Sequence, residues 1–93
     1  MKNILSSIEK KALRKKAYSL KPVVMIGQKG LTDAVLAEID VSLHSHELIK
    51  VRIRGANKIE RYNLCLKIEQ KLKAELVHQI GFIKVFYRAN LKN

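Results

Sequence analysis

The residues best suited to chemistry lie in a short loop between two glycines. Gly27, Gln28, Lys29 and Gly30 directly follow the apolar run 23–26. Glycine lets a backbone approach a ligand closely, and lysine adds a positive charge. If a helix follows, the unpaired N–H groups of its first turn attract an anion as well. The segment therefore indicates a phosphate-binding loop, although a plain turn between a strand and a helix can carry the same two glycines.

The overall charge also favours an anionic partner. The chain has 93 residues, enough for a single domain over residues 1–93, with 19 Lys and Arg against 8 Asp and Glu and a net charge of +11. Such an excess is typical of proteins that bind nucleic acid. Residues 31–49 contain four acids and no Lys or Arg, so we expect this segment to face away from a polyanion.

Several other functional classes are disfavoured. No apolar run approaches the ~20 residues that span a bilayer, and a lone cysteine, Cys65, fits a reducing cytoplasm. His44, His46 and Glu47 lie close together but lack the further ligands that a zinc site needs. No catalytic triad, carboxylate pair or P-loop is present. We therefore expect a cytoplasmic monomer that is not an enzyme and has no metal, cofactor, membrane or small-molecule partner.

Capping signals and hydrophobic periodicity predict the secondary structure. Ser6 with Glu9 and Asn57 with Glu60 match the capping-box pattern at the starts of two helices, and Thr32 or Asp33 caps another. Strands are predicted at residues 23–26, 48–54, 77–80 and 83–87, the last two forming a hairpin around Gly81. The stripe Leu64, Ile68, Leu72 and Leu76 predicts that the third helix continues through Leu76. The order α-β-α-β-α-β-β predicts an α+β fold with helices packed on a small four-stranded mixed sheet.

Three groups of basic residues are candidates for contacts with a nucleic acid. Lys50, Arg52 and Arg54 alternate with Ile49, Val51 and Ile53, so one face of that strand is cationic if no helix covers it. Lys10, Lys11 and Arg14 share one side of the first helix. Lys84 and Arg88 share a face of the last strand with Phe86, which is either a core residue or a platform for an unpaired base.

With these elements in place, the sequence resembles the CRM domain (chloroplast RNA splicing and ribosome maturation) in its stand-alone bacterial YhbY-like form. The matching stretches are residues 20–32, 46–51, 79–81 and 85–88. The resemblance implies a fold similar to the C-terminal domain of bacterial translation initiation factor three. It also implies RNA binding through the G-x-x-G loop and association with precursors of the large ribosomal subunit.

The leading hypothesis is a non-catalytic protein that binds rRNA and assists assembly of the large ribosomal subunit. Its partner would be RNA, bound mainly through phosphates. Two alternatives stay open on the sequence alone: an architectural DNA-binding protein of the nucleoid, and an integral ribosomal protein of finished subunits.

Overall fold

The computed structural model describes residues 5–55 and 57–90, which form three helices and four strands. In chain order they are α1 (Ser7–Ala17), β1 (Pro22–Ile26), α2 (Asp33–His46), β2 (Leu48–Ile53), α3 (Lys58–Leu72), β3 (Glu75–Ile80) and β4 (Ile83–Tyr87). The sheet order is β1-β2-β4-β3, with β1 parallel to β2 and the other neighbours antiparallel. The predicted α+β fold, element order and mixed sheet are confirmed. None of the described helices is long and apolar enough to cross a membrane.

The local capping signals act as the sequence predicts. Ser6 and Asn57 each accept a hydrogen bond from the third residue of their helix, Glu9 and Glu60, whose side chains bond back to the cap. Thr32 caps α2 by accepting a bond from the backbone of Val35. These bonds satisfy N–H groups that a helix cannot satisfy internally, so all three helices begin where the sequence specifies.

The two faces of the sheet are covered unequally. Helices α2 and α3 pack on one face and bury Ile39, Leu43, Cys65 and Ile68 against residues of β1, β2 and β4. Helix α1 packs on the other face, where Ala17 meets Leu48, Val77 and Val85, with Leu5, Leu13 and Tyr87 at the margin. One short helix cannot cover four strands. Part of this second face is therefore open to solvent.

The structure corrects the predicted C-terminal end of α3. The helix ends at Leu72 rather than continuing through Leu76, which belongs to β3. Lys73 ends it in the left-handed conformation, with φ of 54°, although glycine is the usual residue there. The guanidinium of Arg88 donates to the carbonyl oxygen of Leu72 at 3.0 Å. An unpaired carbonyl of the last helical turn is thus satisfied by a side chain distant in sequence.

Candidate nucleic-acid interface

Residues 27–30, here called the glycine turn, form a closed reverse turn between β1 and α2. The N–H of Gly30 donates to the carbonyl of Gly27 at 3.0 Å, and Gly30 has a φ of +74°. Gln28 and Lys29 occupy the two central positions, and their backbone N–H groups have no partner among the described residues. The Lys29 side chain is exposed. Adjacent free N–H groups beside an ammonium form a concave site suited to an anion.

The two glycines of this turn are present for different reasons. Gly30 adopts a left-handed φ that strains any residue with a side chain. Gly27 does not adopt a left-handed φ, and a Cβ placed there would meet no atom within 4 Å. The backbone conformation therefore favours glycine at position 30 but not at position 27. Gly27 leaves open space in front of the turn.

Two other segments lie at the same end of the sheet. The N–H of Arg54 donates to the carbonyl of Ile26 at 2.8 Å, so the chain after β2 runs beside the start of the glycine turn. A Cβ on Gly55 would lie 3.2 Å from Cγ of Gln28. The β3–β4 hairpin closes the group, because Phe82 accepts a 2.8 Å hydrogen bond from the N–H of Ile53. Three loops thus form one continuous surface.

The start of α2 contributes less than the sequence indicates. The hydroxyl of Thr32 already accepts the N–H of Val35 at 3.2 Å, and Asp33 places a carboxylate in the first turn. Both reduce the attraction of this helix terminus for an anion. Any phosphate at this end would therefore depend mainly on the glycine turn itself.

The cationic face of β2 is open to solvent at one end and contacts other parts of the protein at the other end. Arg52 and Arg54 are exposed, whereas Lys50 is half-buried and its ammonium donates to the carbonyl of Leu20 at 2.9 Å. Helix α1 covers this face around Leu48 and does not reach Arg52. Two of the three predicted residues can therefore meet a partner directly, and Lys50 has a structural bond as well.

Helix α1 lies on the same side of the sheet as Arg52. Lys11 and Arg14 are exposed there. The ammonium of Lys10 instead lies 3.5 Å from a carboxylate oxygen of Glu75, which also accepts the N–H of Leu5. Lys10 thus helps to hold α1 against β3.

The structure corrects the expectation that Lys84 and Arg88 are open to a nucleic acid. Lys84 is almost fully buried, with 5% of its surface exposed, and its ammonium donates to Gln79 and to the carbonyl of Gly81, each at 3.0 Å. Burial lowers the pKa of Lys84. Arg88 forms an ion pair with Asp40 at 2.6 Å. Phe86 is fully buried, so it is a core residue and does not stack on a base. These side chains stabilise the fold and do not form an open cationic surface.

The acidic segment lies on the opposite side of the molecule. Helix α2 carries Glu38 and Asp40 on its exposed surface and packs on the face of the sheet that α1 does not touch. The acidic segment is therefore confined to one exposed helix, which shares its face of the sheet with the more basic helix α3.

Some exposed apolar residues lie near the glycine turn without a sequence pattern that predicts their exposure. Met25, Ile80 and Phe82 are exposed by 55%, 66% and 49% of their surface, and the guanidinium of Arg61 lies over the ring of Phe82, 5.1 Å from its centre. Phe82 directly follows Gly81 at the predicted hairpin turn, and this position is the one sequence signal of its exposure.

No group of three or more His, Cys, Asp or Glu side chains among the described residues could hold a metal ion. Cys65 lies on the buried side of α3, and desolvation raises the pKa of its thiol, so less of the reactive thiolate forms at a given pH. The groups of the described surface that are best suited to binding are therefore the unpaired backbone N–H groups and the exposed cations at one end of the four-stranded sheet.

Comparison with known proteins identifies the family. Residues 5–88 match the CRS1 / YhbY (CRM) domain, and the chain belongs to this family. A Haemophilus influenzae protein named "RNA-binding protein" is 45% identical over 84 residues, covering 90% of this chain and 85% of its own length. The family resemblance noted in the sequence is confirmed.

Two further comparisons extend this result. The solution structure of a hypothetical protein from Staphylococcus aureus superimposes with a TM-score of 0.83 at 31% identity, covering 97% of this chain and 94% of that one. The maize protein "CRS2-associated factor 2, chloroplastic" is 33% identical over 84 residues, which cover 90% of this chain but 14% of the maize protein. The same domain thus occurs both as a small protein and within a much longer chain.

Proposed function

We propose that this chain is a non-catalytic RNA-binding protein of the cytoplasm that assists assembly of the large ribosomal subunit by binding rRNA in its precursors. The observation that carries the proposal is the glycine turn. Its N–H groups, which have no partner in the described part of the chain, lie together with the exposed Lys29 and the open space at Gly27, beside Arg54.

The proposed contact follows from ordinary electrostatics. A phosphate oxygen at the turn accepts hydrogen bonds from the backbone of Gln28 and Lys29, while the Lys29 ammonium neutralises its charge. Arg52 and Arg54 hold neighbouring phosphates. Release of counterions from these phosphates supplies most of the affinity. Because phosphate contacts carry no sequence information directly, discrimination among RNA sequences is weak at the turn itself.

Membership of the family supports RNA as the bound nucleic acid, and the resemblance to the bacterial stand-alone members supports ribosomal RNA in particular. A relative that matches 90% of this chain is named as an RNA-binding protein, and the sequence resembles the bacterial stand-alone members associated with large-subunit precursors. The net charge of +11 fits a polyanionic partner but does not by itself distinguish RNA from DNA.

Crosslinking in cells tests the proposal. The chain is crosslinked by ultraviolet light, purified under denaturing conditions, and the attached nucleic acid is sequenced, with a Lys29→Ala variant in parallel. We expect reads from large-subunit rRNA that still carries precursor ends, reduced in the variant. Reads from DNA would support a nucleoid protein instead, and reads from mature rRNA alone would support an integral ribosomal protein. Either result would overturn the assembly role.

A further inference from the structure

The strand register places one residue from each strand in a single row at the open end of the sheet. Met25 is paired with Arg52, Arg52 with Ile83, and Ile83 with Ile80. Directly paired residues point to the same face. This outer row therefore lies across all four strands, on the face that α1 covers only at its other end, and directly beside the glycine turn.

The outer row is apolar and accessible, with one cation within it. Met25 and Ile80, at its two ends, are exposed by 55% and 66% of their surface, and Ile83 is half-buried. Arg52 lies between Met25 and Ile83. No acid is present in this row. Neighbouring strands are about 4.8 Å apart, so the row is about 14 Å long, enough for adjacent nucleotides of one strand.

We infer that the outer row binds the unpaired bases of an RNA strand whose phosphates lie at the glycine turn, and that the substrate class is RNA with unpaired nucleotides rather than continuous duplex. The inference rests on the proposed function and specifies its ligand. Two features favour RNA as the occupant of this face: Arg52, Arg54 and Lys29 complement phosphate, and the row continues directly from the turn.

The physical reason for the preference is access to the base. In an A-form duplex the base faces are stacked and the narrow major groove excludes side chains, so a duplex presents mainly phosphates and sugars. An unpaired strand can turn its bases towards an apolar surface while its backbone stays at the turn. Apolar contact with bases adds affinity that is tolerant of sequence, and guanidinium groups stack on base planes. Double-stranded RNA retains only the phosphate contacts.

The test compares one RNA strand alone and annealed to its complement, at one salt concentration, by fluorescence anisotropy. The strand carries 2-aminopurine, whose fluorescence reports stacking. We expect the chain to bind the single strand at least tenfold more tightly than the duplex. Met25→Ser with Ile80→Ser lowers single-strand affinity about fivefold or more, abolishes the 2-aminopurine response and leaves duplex affinity within twofold.

The controls separate this inference from the proposed function. Val41→Ser removes an equally exposed apolar side chain from α2, 64% exposed, and changes neither affinity. Lys29→Ala weakens binding to both RNAs. Equal affinity for strand and duplex, unaffected by the double variant, would overturn the inference and leave the proposed function standing. An equal loss on both RNAs would likewise exclude base contacts at the row. No binding to either RNA by the unaltered chain would overturn the proposed function itself. Thermal unfolding confirms that each variant is folded.

Discussion

Replacing Gly27 by alanine separates binding from folding at the centre of the proposed interface. The added Cβ meets no atom of the protein within 4 Å, and the φ of Gly27 is not left-handed. Alanine at such a position restricts the unfolded chain, so the free energy of unfolding should rise by about 0.4–1 kcal/mol. The same Cβ occupies the space in which we place a phosphate.

The expected cost to binding follows from the bonds at risk. A hydrogen bond to a charged group contributes about 1.5–3 kcal/mol. If the methyl group displaces the phosphate enough to lose about half of one such bond, binding weakens by about 0.8–1.5 kcal/mol, so affinity falls about four- to twelvefold. Gly27→Ala should therefore bind RNA more weakly while unfolding at a higher denaturant concentration. Opposite signs in the two measurements exclude misfolding as the cause.

The assay is a titration of a fluorescent rRNA fragment, paired with urea unfolding of the same protein preparation. Ala37→Ser is the matched control, because it also adds one heavy atom at an exposed site, on the acidic helix α2; we expect unchanged affinity. Gly30 is the poorer choice because its φ of +74° makes any side chain strained. Unchanged affinity in Gly27→Ala would mean that no ligand approaches this turn closely and would rule out the proposed phosphate contact.

Three further predictions test other parts of the surface. Lys29→Ala should make the slope of log affinity against log salt shallower by about 0.7 on single-stranded RNA, and an unchanged slope would show that this lysine neutralises no phosphate. Reversing Arg52 and Arg54 to Glu should weaken binding at least tenfold, whereas Glu38→Lys on the opposite face should leave it equal or slightly tighter; the reverse order would place the RNA on α2. Arg88→Ala should lower the free energy of unfolding by about 1–2 kcal/mol through lost bonds to α2 and α3, with unchanged RNA affinity in the variant that remains folded.

Local sequence was sufficient to predict most of the fold. Each of the three helices begins at a cap whose two partners lie only three residues apart in the sequence, such as Ser6 with Glu9 and Asn57 with Glu60. The glycine turn was likewise predictable, since glycines after an apolar run mark a turn. The end of α3 was not, because its last carbonyl is satisfied by Arg88, 16 residues further along the chain.

The exposure of cations required the tertiary structure. The alternation of side chains along a strand correctly places Lys84 on the same face as Phe86, but the burial of that face depends on α3. The partner of Arg88, Asp40, lies 48 residues away. The outer row also needs the register of four strands, which local patterns do not determine.

Amide chemical shifts recorded during a titration with an unpaired rRNA fragment show directly whether RNA binds at the glycine turn. We expect the largest changes at Gln28, Lys29 and Gly30, with further changes at Gly55 and along the outer row, and little change on α2 beyond its first turn. Shifts confined to the exposed surface of α2, with the amides of the glycine turn unmoved, would contradict RNA binding at the turn.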